Sequence, residues 1–179
     1  MADELVYRQW LFLDFDGVTH PFFPRADVPE SENQFFAYLP TIEAVLRLFP
    51  ETGVVIASSW REKWSLEELR KNFAPDMRDR IVDVTPVVPI PWGETDRGSR
   101  QREVEAWLES RGQSNAPWVA LDDTVWLYRP GATVVVAPDR FSEVEAEALR
   151  QALQSPEAYA QAHPVPGVSD RSSSRPRLG

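Results

Sequence analysis

Five short apolar runs constrain this chain more than any other feature: Leu11-Phe12-Leu13, Val54-Val55-Ile56-Ala57, Ile81-Val82-Asp83-Val84, Trp118-Val119-Ala120-Leu121 and Thr133-Val134-Val135-Val136. They do not alternate apolar with polar residues, which predicts strands covered on both faces, as in a parallel sheet. Parallel strands need crossovers, and the intervening segments carry helical periodicity. Ile42, Val45, Leu46 and Phe49 share one face, with Pro40 suited to the first turn. Ser65-x-x-Glu68 is a capping box, followed by Leu66, Leu69 and Phe73 on one side. Val104, Trp107 and Leu108 form a third stripe that stops near Gly112. Ser142-x-x-Glu145 opens a fourth helix, with Val144, Ala148, Leu149 and Ala152 expected to face inward. Strands alternating with helices predict an α/β domain with a doubly wound, mostly parallel, five-stranded sheet of Rossmann type.

Two segments break the rhythm. Residues 17–39 hold three prolines and the aromatic set Phe22, Phe23, Phe35, Phe36 and Tyr38. They are too few for a second domain and read as a flap over the first strand's end. Residues 85–99 are irregular, with Pro86, Pro89 and Pro91 around Trp92. The expected organisation is one domain over residues 1–162 and a Pro/Ser/Arg-rich tail over 163–179. The absence of cysteine excludes disulfide scaffolds, thiolate zinc sites and cysteine nucleophiles, and two histidines, His20 and His163, leave little for a histidine-rich metal site. The formal charge of −9 disfavours a broad electrostatic grip on nucleic acid, though not a local basic pocket. With no long apolar run and no apolar stretch at the start, a soluble cytoplasmic protein is expected.

In an open α/β sheet the ligand crevice lies outside the carboxyl ends of the strands, so the residues following each run are where chemistry is sought. Asp14-Phe15-Asp16-Gly17 follows the first run, Ser58-Ser59-Trp60-Arg61 the second and Asp122-Asp123 the fourth. Four converging carboxylates repel one another unless a cation sits among them. Oxygen ligands without histidine or cysteine favour a hard ion, and magnesium suits a few carboxylates with water and phosphate. A lone Asp-x-Asp is more often a turn or a cap, Asp122-Asp123 could cap the next segment, and Ser58-Ser59 could start a helix. The signal lies in their combination, each at the end of its own strand.

In that order the motifs resemble the haloacid dehalogenase-like superfamily of phosphotransferases. Leu11-Phe12-Leu13-Asp14-Phe15-Asp16-Gly17-Val18 resembles its first motif and Val54-Val55-Ile56-Ala57-Ser58-Ser59-Trp60-Arg61 its second. Arg100 sits where the third places a basic residue, and Trp118-Val119-Ala120-Leu121-Asp122-Asp123 is similar to the acidic fourth. The pattern covers about residues 9 to 137 and looks most like the branch found in bacterial RNA repair (Swiss Army Knife) proteins.

The resemblance implies a magnesium-dependent phosphohydrolase acting on a phosphomonoester through an aspartyl-phosphate. Asp14 would be the nucleophile and Asp16 the acid and base, whose presence argues against dehalogenation. Magnesium would be held by Asp14, the main-chain carbonyl of Asp16, and Asp122 with Asp123. Ser58, or Ser59 after a one-residue shift, would bind a phosphoryl oxygen. Arg100 would pair with the phosphate; Arg97 and Arg102 compete for that place, although the spacing to Val104, Trp107 and Leu108 favours Arg100. Arg61 reads as a solvated arginine that could join Arg97, Arg100 and Arg102 in a positive rim, His20 as a bystander, and Trp60, Trp64 and Trp92 as packing residues before base-stacking ones. Neither cap position has room for a full cap, so the crevice should be open. The expected partner is a phosphorylated substrate, with a nucleic-acid end favoured; a small-molecule or nucleotide phosphatase and a non-catalytic phosphate- or metal-binding module are the alternatives.

Overall fold

The computed structural model describes residues 7–167. Strands β1 (Gln9–Leu13), β2 (Thr52–Ile56), β3 (Ile81–Val84), β4 (Trp118–Asp122) and β5 (Val134–Val136) form one sheet, all parallel, in the order β3-β2-β1-β4-β5. Helices α1 (Leu39–Arg47), α2 (Leu66–Arg70), α3 (Ser99–Ser110), α4 (Glu143–Gln154) and α5 (Pro156–Ala162) cover it.

The apolar runs become the sheet because alternate residues are buried on opposite faces. Leu11, Leu13, Val54, Ile56, Val119, Leu121 and Val135 meet Ile42, Val45 and Leu46 of α1, Leu69 of α2 and Ala146, Leu149, Ala152 and Leu153 of α4. Trp10, Phe12, Val55 and Ala57 meet Val104, Trp107 and Leu108 of α3. Complete burial of Phe12, Leu11 and Leu13 contributes roughly 1.5–3 kcal/mol each. Both expected capping boxes form, at Ser65 and Ser142, with Glu68 and Glu145 reaching back. Gly112, at φ +65°, follows the end of α3.

Two expectations change. Val144 lies outward, 74% exposed, because the buried stripe of α4 is Ala146, Leu149, Ala152 and Leu153, rotated from the one expected. The stretch after His163 is not all detached: Val165 is buried against Ala120, Tyr128 and Val134, although residues 168–179 lie outside those described. Residues 17–39 carry one short 3-10 turn, and among the described residues no cap domain covers the carboxyl ends of the strands. Among the described residues no helix is long and apolar enough to cross a membrane.

Candidate active site

The chain runs outward from β1 to β3, then crosses back to place β4 on the other side of β1. That reversal makes the carboxyl ends of β1 and β4 the natural crevice. The register pairs Leu13 with Leu121, and the Asp14 N–H donates to the Leu121 carbonyl at 3.0 Å. Asp14 and Asp122, the next residue on each strand, therefore stand side by side. Asp14, Asp122 and Asp123 each offer an oxygen within 4.8 Å of the others. Gly17 admits Asp123 to the cluster: it has φ +75°, and a Cβ there would stand 2.6 Å from Asp123 Oδ2.

The cluster is electrostatically uncomfortable. Burial, then the neighbouring Asp122 carboxylate, pushes the Asp14 carboxyl up to about 8 against the pull of Arg100. Burial also raises Asp122 to about 6, opposed by Arg100, the Thr124 N–H and the Tyr128 hydroxyl. The last two donate to Asp122 at 2.9 Å each and fix its orientation. Two buried carboxylates beside the half-buried Asp123, with no nitrogen or sulfur donor among them, fit a hard divalent cation such as magnesium.

Arg100, in the first turn of α3, is the arginine that faces these acids. Its guanidinium stands 3.9 Å from Asp14 and 3.7 Å from Asp122, while Nη1 donates to Glu103 at 3.0 Å. Its buried Nε has no hydrogen-bond partner. The competing arginines lie elsewhere: Arg97 is exposed and donates to the Pro166 carbonyl, and Arg102 pairs with Glu94.

Asp16 is not part of the carboxylate cluster. Its side chain accepts from the Trp60 indole N–H at 3.0 and 3.1 Å and from His20 Nε2 at 3.1 Å. The Phe36 N–H points at His20 Nδ1, so Nδ1 accepts and Nε2 carries the proton. Burial keeps the pKa of His20 below its ordinary value, consistent with a neutral ring that donates to Asp16. His20 is therefore no bystander.

Ser58 is fully buried, and its Oγ accepts the Trp60 N–H at the start of a 3-10 turn, as an N-cap does; Ser59 is exposed. Arg61 overturns its expected role. Its side chain is only 3% exposed, donating to the carbonyls of Thr85 and Ser58 and to Glu103 at 2.9, 2.8 and 2.7 Å. No positive rim of four arginines therefore exists. Sequence reading also missed Tyr128, Thr124 and Glu103; only the placement of Thr124 two residues beyond Asp122 hinted at a turn contact. A larger cavity, about 930 Å³ between α3, α5 and the start of β4, is lined by none of the site carboxylates.

Parallel-sheet topology, carboxylates at the switch point and a facing arginine define a haloacid dehalogenase-type domain of the phosphohydrolase class. More particularly, residues 10–143 match the family described as the HAD domain in Swiss Army Knife RNA repair proteins, and the chain belongs to that family. No curated protein and no solved structure shows a significant match to the chain.

Proposed function

We propose that the protein is a magnesium-dependent phosphomonoester hydrolase that works through an aspartyl-phosphate. The observation that carries this reading is the meeting of Asp14 with Asp122, Asp123 and the unpartnered Nε of Arg100 at the switch point of the sheet. Asp14, Asp122 and Asp123, with the main-chain carbonyl of Asp16, would hold a magnesium ion, which offsets the carboxylate repulsion and the charge of the phosphate.

An Asp14 oxygen attacks phosphorus, and the bond from phosphorus to the leaving oxygen breaks. Protonated Asp16 hands its proton to that oxygen. Water then attacks the phosphorus of the aspartyl-phosphate, giving its proton to Asp16 and releasing phosphate and Asp14. Two fixed N–H donors, from Trp60 and His20, hold the Asp16 carboxyl in place through both transfers. Arg100 Nε and Nη2 supply charge to the phosphoryl oxygens. Ser58, or the exposed Ser59, would bind another phosphoryl oxygen.

A phosphorylated nucleic-acid end is the substrate this reading favours. The open mouth accommodates a large molecule, and the family's description concerns RNA repair proteins. With Arg61 buried and Arg102 paired, few phosphates can be neutralised, so binding should depend weakly on salt.

A panel of phosphorylated compounds, including a mononucleotide and a phosphate-ended oligonucleotide, tests the proposal with and without magnesium. Phosphate release that needs magnesium, and that falls by ~10²–10⁴ in Asp16→Ala, is expected. Release from no ester despite measurable magnesium binding would replace the enzyme by a binding module. A higher kcat/KM for the mononucleotide would exclude the polymer end.

A further inference from the structure

The indole that holds Asp16 also faces something else. Trp60 joins Trp64, Glu68, Leu69 and Asn72 in walling a cleft of about 220 Å³. The Trp64 N–H donates to the Trp60 carbonyl at 3.0 Å, so the two indoles follow one another by a helical turn. The capping box at Ser65 then starts α2, which brings Glu68 and Leu69 to the same cleft, with Asn72 just beyond its end. Trp64 is 49% exposed, so core packing does not account for it.

Trp60 is also clamped by three phenylalanines. Phe35 and Phe36 meet its ring edge-on at centroid distances of 5.5 and 5.4 Å, and Phe15 does so at 5.9 Å. Neighbouring residues of an extended chain point to opposite sides. Both phenylalanines reach one indole, and Phe36 takes φ +62°, a left-handed conformation rare for a bulky residue. Phe35 nevertheless stays 71% exposed. A strained backbone thus flanks the ring that bonds Asp16.

We propose that the Trp60–Trp64 cleft is a stacking subsite for the nucleobase of the leaving nucleoside. This rests on the phosphohydrolase reading above, because Asp16 can protonate the leaving oxygen only if the leaving group lies against it. Trp60 bonds that same carboxylate, so the cleft begins within the length of one indole of the leaving oxygen. Glu68 and Asn72 give the cleft a polar rim suited to the edge of a heterocycle, and the indoles supply its apolar walls. Stacking also suits a chain of charge −9, because it captures a base without needing cations.

The test compares a nucleoside monophosphate with glycerol phosphate, both with magnesium, on the wild type, Trp64→Ala and Trp64→Phe. Stacking at about 1–3 kcal/mol per base converts to a preference of roughly 5- to 150-fold for the nucleotide, expressed in KM. That ratio should collapse toward one in Trp64→Ala and return in Trp64→Phe. Equal handling of both esters by the wild type, or a ratio that survives Trp64→Ala, overturns the subsite. A second arm needs no turnover: unphosphorylated nucleoside is titrated into Asp14→Asn while tryptophan fluorescence is followed. Quenching that disappears when Trp64→Ala is added supports the subsite, and no quenching overturns it. Quenching without hydrolysis of either ester leaves the subsite standing while the hydrolase reading fails; hydrolysis of both esters alike without quenching does the reverse.

Discussion

Two arginines reach Glu103 from different parts of the molecule and end in opposite states. Arg61, after β2, gives Nη2 to Oε1 and spends its remaining donors on the carbonyls of Thr85, Ser58 and Ala57, tying β2, β3 and α3 together. Arg100 gives Nη1 to Oε2 and holds Nε, unpartnered, beside Asp14 and Asp122. Charge and burial do not distinguish the two; unspent hydrogen-bonding capacity does. The saturated arginine is an anchor, and the unsaturated one faces the crevice where a phosphate would supply the missing acceptors.

The largest expected effect breaks the anchor. Arg61→Ala leaves Glu103 short of a partner and takes the side-chain donor from the Thr85 and Ala57 carbonyls, which should cost about 3–5 kcal/mol. For a chain of this length that lowers Tm by roughly 10 °C in a thermal melt. An unchanged Tm combined with lost turnover would reverse the assignment of the two arginines.

Arg100→Met sharpens the same contrast from the other side. Its turnover should fall by ~10²–10³, the range for removing one preorganised donor to developing charge, while Tm moves far less than in Arg61→Ala. Parallel measurement of kcat/KM and Tm on both variants separates them; equal losses of stability would mean that Arg100 is also an anchor.

A third effect concerns the cluster that Arg100 faces. The raised Asp14 carboxyl, about 8 when folded against the usual ~4 unfolded, means that the folded protein binds the extra proton between those values. Metal-free protein should therefore lose stability as pH rises from about 4 to 8. Asp14→Asn removes that penalty, so in chelator it should melt above the wild type at pH 8, with the gain shrinking toward pH 4. Melting curves across this window check the sign, and a variant less stable at pH 8 would contradict it.

These contrasts mark how far the sequence could be read. The strands were legible because each is covered on both faces and so remains an uninterrupted apolar run; Asp14 and Asp122 were legible because they directly follow such runs. Arg100 was legible because α3 has a buried stripe that fixes which residues share its first turn. Arg61 was not, because what satisfies it is a set of carbonyls at the ends of two strands, and no side-chain pattern announces a carbonyl. The contact of His20 with Asp16 depends on a loop turned by Gly17, and the ring clamp on Trp60 includes a left-handed Phe36. Neither leaves a periodic trace. Val144 misled because apolarity in the first turn of a helix does not say which way that turn faces.

Whether Asp14 carries the phosphoryl group is read from the initial rate of phosphate release by Asp14→Asn at saturating magnesium, on the best ester from the panel. Asparagine keeps the size of the side chain while removing the nucleophilic oxygen anion, so a folded protein with no release above background is expected. Release at the wild-type rate would contradict that role for Asp14.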